Sequence, residues 1–170
     1  MVSEHRRLIA ATVAFVAVLL QTVVMPDVRV AGVIPDIVLL TVVAAAIQLG
    51  PEGGMFYGFG AGLTMDFFLS TPLGLTALSY TVVAYVVSAG STGLLRNEWW
   101  VYPALGGLGS MLGTSLFVAA GVLVGQDQFL QARSFTVVAM SGAFGVPLSV
   151  LIVPAIAKLL PGHESRELMA

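Results

Sequence analysis

PDIVLLTVVAAAIQLGPEGGMFYGFGAGLTMDFFLSTPLG occupies residues 35–74. Two apolar runs, 35–49 and 55–69, flank the turn sequence GPEGG, and a second turn, STPLG, closes the stretch. A single carboxylate, Asp66, stands inside the second run. A charge at that depth in an apolar environment is costly, so its neighbours must compensate it. The stretch therefore predicts a pair of packed helices with a polar tie at one end.

The rest of the chain sets the medium in which those helices sit. Of 170 residues, 58% are hydrophobic and 9% charged, and the mean hydropathy is +0.98. Soluble domains average about 25% charged residues, so this composition predicts an integral membrane protein with the lipid bilayer as its solvent. The length suits one domain, residues 1–170, with no separate soluble module. The net charge of −2 carries no signature of nucleic-acid binding, and the absence of cysteine excludes disulfides and thiolate metal sites. His5 and His163 lie in polar tails at opposite ends, so no metal ligand set is expected.

A helix that crosses the hydrocarbon core needs about 20 apolar residues. The apolar runs predict an all-α, six-helix transmembrane bundle, with helices at 8–25, 35–49, 55–69, 72–89, 101–124 and 135–160. The first run follows Arg6 and Arg7 as a signal peptide would, but it exceeds the usual h-region and no small-residue cleavage site follows. It is read as a retained helix. Pro35 suits the first position of the second helix, and Asp36 then lies in its first turn, where the helix dipole favours negative charge. Thr71 and Pro72 are read in the same way as the cap and first residue of the fourth helix. Pro147 and Pro154 in the last run are tolerable in a membrane helix, with kinks expected.

Six crossings place both termini on one side. With that side cytoplasmic, Arg6, Arg7, Arg96, Lys158 and Arg166 are inside, and Arg29 and Arg133 are outside, as the positive-inside rule requires. Trp99, Trp100 and Tyr102 are then an aromatic anchor at the cytoplasmic face.

Gly50, Gly54, Gly58, Gly62 and Asp66 recur at every fourth position and so share one helix face. Small residues at that spacing allow backbones to approach closely; a ligand groove along the same face is the other reading. Gly109 and Gly113 suggest a second close contact. Asp66 admits three roles: a tie to the Thr71–Gly74 turn or to a nearby arginine, a partner contact, or a proton or ion site. The tie is the simplest, because the start of the fourth helix presents free amides. Catalysis lacks residues to carry it: there is no metal-binding spacing, no nucleophile elbow and no nucleotide-binding glycine pattern. No cofactor is expected.

The segment from Pro35 to Tyr85 resembles the core of the MreD family, bacterial rod shape-determining membrane proteins. Pro35-Asp36, the Gly-Pro turn, the glycine-spaced helix with Gly54, Gly58 and Gly62 ending in Asp66, and Pro72-Leu73-Gly74 carry the resemblance. It implies a non-catalytic component of the cell-elongation (rod) complex in the bacterial cytoplasmic membrane, supporting lateral peptidoglycan synthesis. The implied partner is MreC, with the filament protein MreB, a RodA-type glycosyltransferase and a penicillin-binding transpeptidase in the same assembly. It also implies a fold similar to the substrate-binding subunits of energy-coupling-factor transporters. A vitamin-type capture subunit is accordingly the alternative function; it would line a polar cavity with Asp36 and Asp66.

Overall fold

Ten consecutive residues of the second helix, Val38–Ile47, are buried. A helix that is apolar on every side belongs at the centre of a bundle, and the other helices pack around this one. The computed structural model describes residues 2–28, 32–69, 72–91, 100–126 and 132–160. Among them are five α-helices and no paired sheet: α1 (Val2–Val23), α2 (Ile37–Asp66), α3 (Leu75–Gly90), α4 (Val101–Leu123) and α5 (Ala132–Leu159). Four of the five, all but α3, are long and apolar enough to cross a membrane.

The expected count of six helices is corrected to five. The second and third apolar runs form one element, α2, whose helical geometry is interrupted only at Gly50 (φ 74°, ψ −175°). The chain doubles back there. A side chain at Gly54 would meet Ala46, one at Gly58 would meet Val42, and the Tyr57 hydroxyl donates to Thr41 Oγ1 at 3.2 Å. The two arms, 37–49 and 51–66, thus lie antiparallel. The GPEGG turn is narrower than expected, because Pro51 already starts the second arm, where a proline needs no amide hydrogen. Gly50 is the pivot and does not belong to the glycine stripe.

Gly50 adopts a backbone region open essentially to glycine alone, which costs other residues about 1–3 kcal/mol. Space is not the constraint, since nothing lies within 4 Å of an added Cβ. Gly60, helical and equally open, is the matched control. Gly50→Ala is expected to lower the melting temperature in detergent. Gly60→Ala should leave it unchanged or raise it, since alanine is favoured over glycine in a helix by about 0.5–1 kcal/mol. Equal behaviour of the two variants would remove the pivot.

Helix ends also differ from expectation. The α3 helix begins at Leu75 with Gly74 as its N-cap (φ 99°), so Pro72 precedes the helix. Thr71, read as its cap, lies outside the described residues. Asp36 is the N-cap of α2, not a first-turn residue, and Pro35 precedes it. The second arm stops at Asp66, with turn structure following at 67–69. Helix α1 starts at Val2, earlier than residue 8, because the polar SEHRR segment is itself helical. Of the aromatic anchor, Trp99 lies outside the described residues, Trp100 is exposed at the start of α4 and Tyr102 is partly buried.

Ala14, Ala17, Val18 and Gln21 are the buried face of α1, at the spacing of a stripe packed on α2. Helix α4 meets the central arm through glycine: side chains at Gly109 and Gly113 would collide with Val43 and Leu39. A second close contact joins α4 to α5. There Gly106 faces Ser149 and the Gly145 carbonyl, Gly107 faces Val146, and Gly142 faces Met111. Thr114 Oγ1 donates to Ser141 Oγ at 3.0 Å across the same seam.

Candidate functional site

Two carboxylates and an amide side chain, Asp36, Asp66 and Gln21, gather at one end of the bundle, where the N-termini of α2 and α3 lie. A helix start leaves backbone amides without intrahelical partners. In an apolar setting water cannot serve them, so side chains must. Three side chains do so here.

Asp66, 1% exposed, serves α3. Its Oδ2 accepts from Gly74 N at 2.8 Å and from Ala77 N at 3.2 Å, and its Oδ1 accepts from Thr76 N at 3.1 Å. The carboxylate closes the first turn of α3 from the end of the preceding helix, while Gly74 itself supplies no side-chain cap. The partners are backbone amides within and just beyond the Thr71–Gly74 turn. Arg29 and the Arg133 side chain lie outside the described residues.

Asp36 serves α2. Its Oδ1 accepts from Leu39 N at 2.9 Å, the usual N-cap bond. Its Oδ2 accepts from the Tyr80 hydroxyl at 2.6 Å, which ties the start of α2 to the body of α3. Gln21 of α1 completes the arrangement: its Nε2 donates to the Pro35 carbonyl at 3.0 Å, and its Oε1 accepts from Ile37 N at 2.8 Å. One amide side chain thereby grips the backbone on both sides of Asp36.

The glycine stripe runs from this polar end toward the Gly50 pivot. An added Cβ at Gly62 would sit 2.6 Å from Ala77 Cα and 2.8 Å from the Thr76 carbonyl oxygen. At Gly58 it would sit 2.8 Å from the Tyr80 carbonyl oxygen, and at Gly54 2.8 Å from Ala46 Cα. These are backbone atoms, so α3 and the central arm lie directly against the second arm. Near Gly54, the Ser88 hydroxyl donates to the Ala46 carbonyl at 3.0 Å. The stripe is filled by protein along its length, which leaves no groove there for a ligand.

The structure brings Asp36 and Asp66 to the same end of the bundle, each engaged with a helix start. Pro72 is half-buried and Leu73 points outward. Sequence reading missed Gln21, Tyr80 and Ser88. Gln21 alone left a trace: it is a lone amide on the same face as Ala14 and Ala17. The serine and glycine seam between α4 and α5 was missed as well, apart from Gly109 and Gly113, which face α2.

The arrangement can hold helices in register and shield backbone amides. Asp36, Asp66 and Gln21 are each engaged by hydrogen bonds within the bundle. No curated protein and no solved structure matches the chain, so the expected likeness to energy-coupling-factor subunits has no support. A family model described as rod shape-determining protein MreD matches residues 3–160 of the 170, and the chain belongs to that family of rod shape-determining membrane proteins.

Proposed function

We propose that this chain is a non-catalytic scaffold of the cell-elongation complex in the bacterial cytoplasmic membrane, docking MreC and so supporting lateral peptidoglycan synthesis. One observation carries the reading: both carboxylates at the polar end are engaged by the chain's own helices, Asp66 by the amides of Gly74, Thr76 and Ala77 at the start of α3 and Asp36 by Leu39 and Tyr80. A carrier or catalyst needs such groups free to meet a substrate. What the bundle presents to a partner is its lateral surface, which is rich in exposed large apolar side chains. MreB, the RodA-type glycosyltransferase and the penicillin-binding transpeptidase are then reached through MreC. Pro35, Asp36, Gly54, Gly58, Gly62, Asp66, Pro72, Leu73 and Gly74 shape the scaffold and bind no cofactor.

The test is recovery of tagged protein from bacterial membranes, with rod-shape complementation in a strain lacking it. Co-isolation of a single-pass protein with an extracytoplasmic domain, together with restored rods, is the expected outcome. Stoichiometric recovery of a vitamin or nucleobase without that protein would replace the scaffold by a capture subunit.

Both termini face the cytoplasm in this reading. The reversal at Gly50 returns the chain to the side from which α2 began, and α1, α3, α4 and α5 each change side once. The basic residues favour the same orientation, with Arg6, Arg7, Arg96, Lys158 and Arg166 inside and only Arg29 and Arg133 outside. Cysteines replacing Ser3 and Asp127 should react with a membrane-impermeant maleimide from opposite faces of the membrane. Reaction from one face would sink this orientation.

A further inference from the structure

The helices are unequal in a way that bears on depth. At 1.5 Å per residue, the 16-residue second arm of α2 and the 16-residue α3 are each about 24 Å long, short of the roughly 30 Å hydrocarbon core. The 23-residue α4 is about 34 Å long and the 28-residue α5 about 42 Å. Contacts between helices show where the deficit lies. Gly54 opposes Ala46 and Gly58 opposes Val42, which puts Asp66 about level with Ile34. Gly109 opposes Val43 and Gly113 opposes Leu39, which puts Val118 of α4 at about that same level. Helix α4 then runs on to Leu123, about 7 Å further by its rise. At the opposite end the same pairings bring the Gly50 pivot level with the start of α4, so the shortfall relative to α4 is at the Asp66 end; α5, whose Val146 and Ser149 face Gly107 and Gly106, runs on past the pivot instead.

The side chains around that end are apolar. Leu123, at the far end of α4, is 87% exposed, which sets an apolar boundary beyond the level of Asp66, and Phe135 of α5, about opposite Val118, is 83% exposed at that level. In the connection after Asp66, Phe67 is 70%, Phe68 54% and Leu73 65% exposed. A turn in water has no reason to display three large apolar side chains beside a helix start whose amides are satisfied from within the protein. Asp66 accepts from Gly74, Thr76 and Ala77, and such internal pairing is what hydrocarbon demands of backbone that water cannot reach.

We infer that the described parts of the α2–α3 connection, residues 67–69 and 72–74, are seated below the membrane surface, with Phe67, Phe68 and Leu73 forming a contact surface for phospholipid acyl chains. The Asp66 carboxylate stands in for water at the start of α3. The bilayer beside this hairpin is accordingly thinner than beside α4.

The native chain contains no cysteine, so single cysteines report cleanly. Phe68→Cys and Leu73→Cys carry an environment-sensitive fluorophore in phosphatidylcholine vesicles, and quenching is compared between aqueous iodide and phospholipid nitroxides in the acyl chain. Phe59→Cys, midway along the second arm, is the acyl-chain reference, and Glu4→Cys, in the exposed first turn of α1, is the water reference. The turn probes should match Phe59, with iodide quenching at least fivefold weaker than at Glu4 and strong quenching by acyl-chain nitroxides. Two positions are used so that one poorly folding variant does not decide the matter. Iodide quenching as strong as at Glu4 at both positions overturns the inference, whatever the partner assays return.

Discussion

Asp66→Leu should be the most damaging single substitution at the polar end of the bundle. It removes the acceptor for Gly74 N, Thr76 N and Ala77 N together. Hydrogen bonds to a charged group contribute about 1.5–3 kcal/mol each, and abandoned buried amides add a desolvation cost. The three bonds share one group and are not additive, so the loss is on the order of 3–5 kcal/mol against a typical total stability of about 5–15 kcal/mol. The expected result is a large fall in melting temperature and in membrane abundance, with loss of rod-shape complementation. Asp66→Asn separates a tie from a charge-dependent role. Asparagine can keep its single oxygen at the site that serves Gly74 and Ala77, but then turns its NH2 toward the Thr76 amide. Its effect should therefore be intermediate, about 1.5–3 kcal/mol, with partial complementation. If Asp66→Asn fails as completely as Asp66→Leu at normal abundance and stability, the charge acts directly and the tie is not its role.

Gly58→Leu is expected to separate the second arm of α2 from its neighbours. An added Cβ would already sit 2.8 Å from the Tyr80 carbonyl oxygen, and the remaining leucine atoms have Val42 beside them. Backbone cannot move aside as a flexible side chain can. Overpacking a tight core by a few methylenes costs about 1–3 kcal/mol and sometimes more, and here the obstruction also holds two helices apart. Gly62→Ala is the minimal version, since its Cβ would meet Ala77 Cα at 2.6 Å. The expected readout is a lower melting temperature for both variants, greater for Gly58→Leu, with loss of partner recovery following loss of fold. A Gly58→Leu protein of unchanged stability would place this face toward lipid.

Shape determination by this protein thus depends on a bundle whose interior is closed by its own chain. The same reasoning separates partner-docking defects from folding defects. Substitutions on the stripe or at Asp66 should lower stability and complementation together. If the lateral surface docks a partner as proposed, substitutions of exposed apolar residues at the point of contact should lower complementation alone.

Much of this was legible locally. Apolar runs of helical length announce membrane helices, because no soluble surface could be made from them. The GPEGG segment announced a reversal, because its glycines and proline break a helix, but the sequence did not show that Gly50 alone makes the turn and that Pro51 already starts the second arm. A carboxylate isolated in an apolar run had to have partners, and the nearest helix start was the cheapest source of donors. What sequence alone could not decide was continuity and facing. Whether 35–49 and 55–69 are separate helices or one interrupted element depends on how few residues the reversal occupies, which tertiary packing of the two arms determines. Periodicity puts Gly54, Gly58 and Gly62 on one face. It does not say that Ala77, Tyr80 and Ala46 supply the backbone against them, because those residues are brought there only by folding. Gln21 grips Pro35 and Ile37 from another helix, and the α4–α5 seam matches glycines and serines more than 25 residues apart. Such pairings leave no local signal: each half is an ordinary small or polar residue until the partner helix arrives.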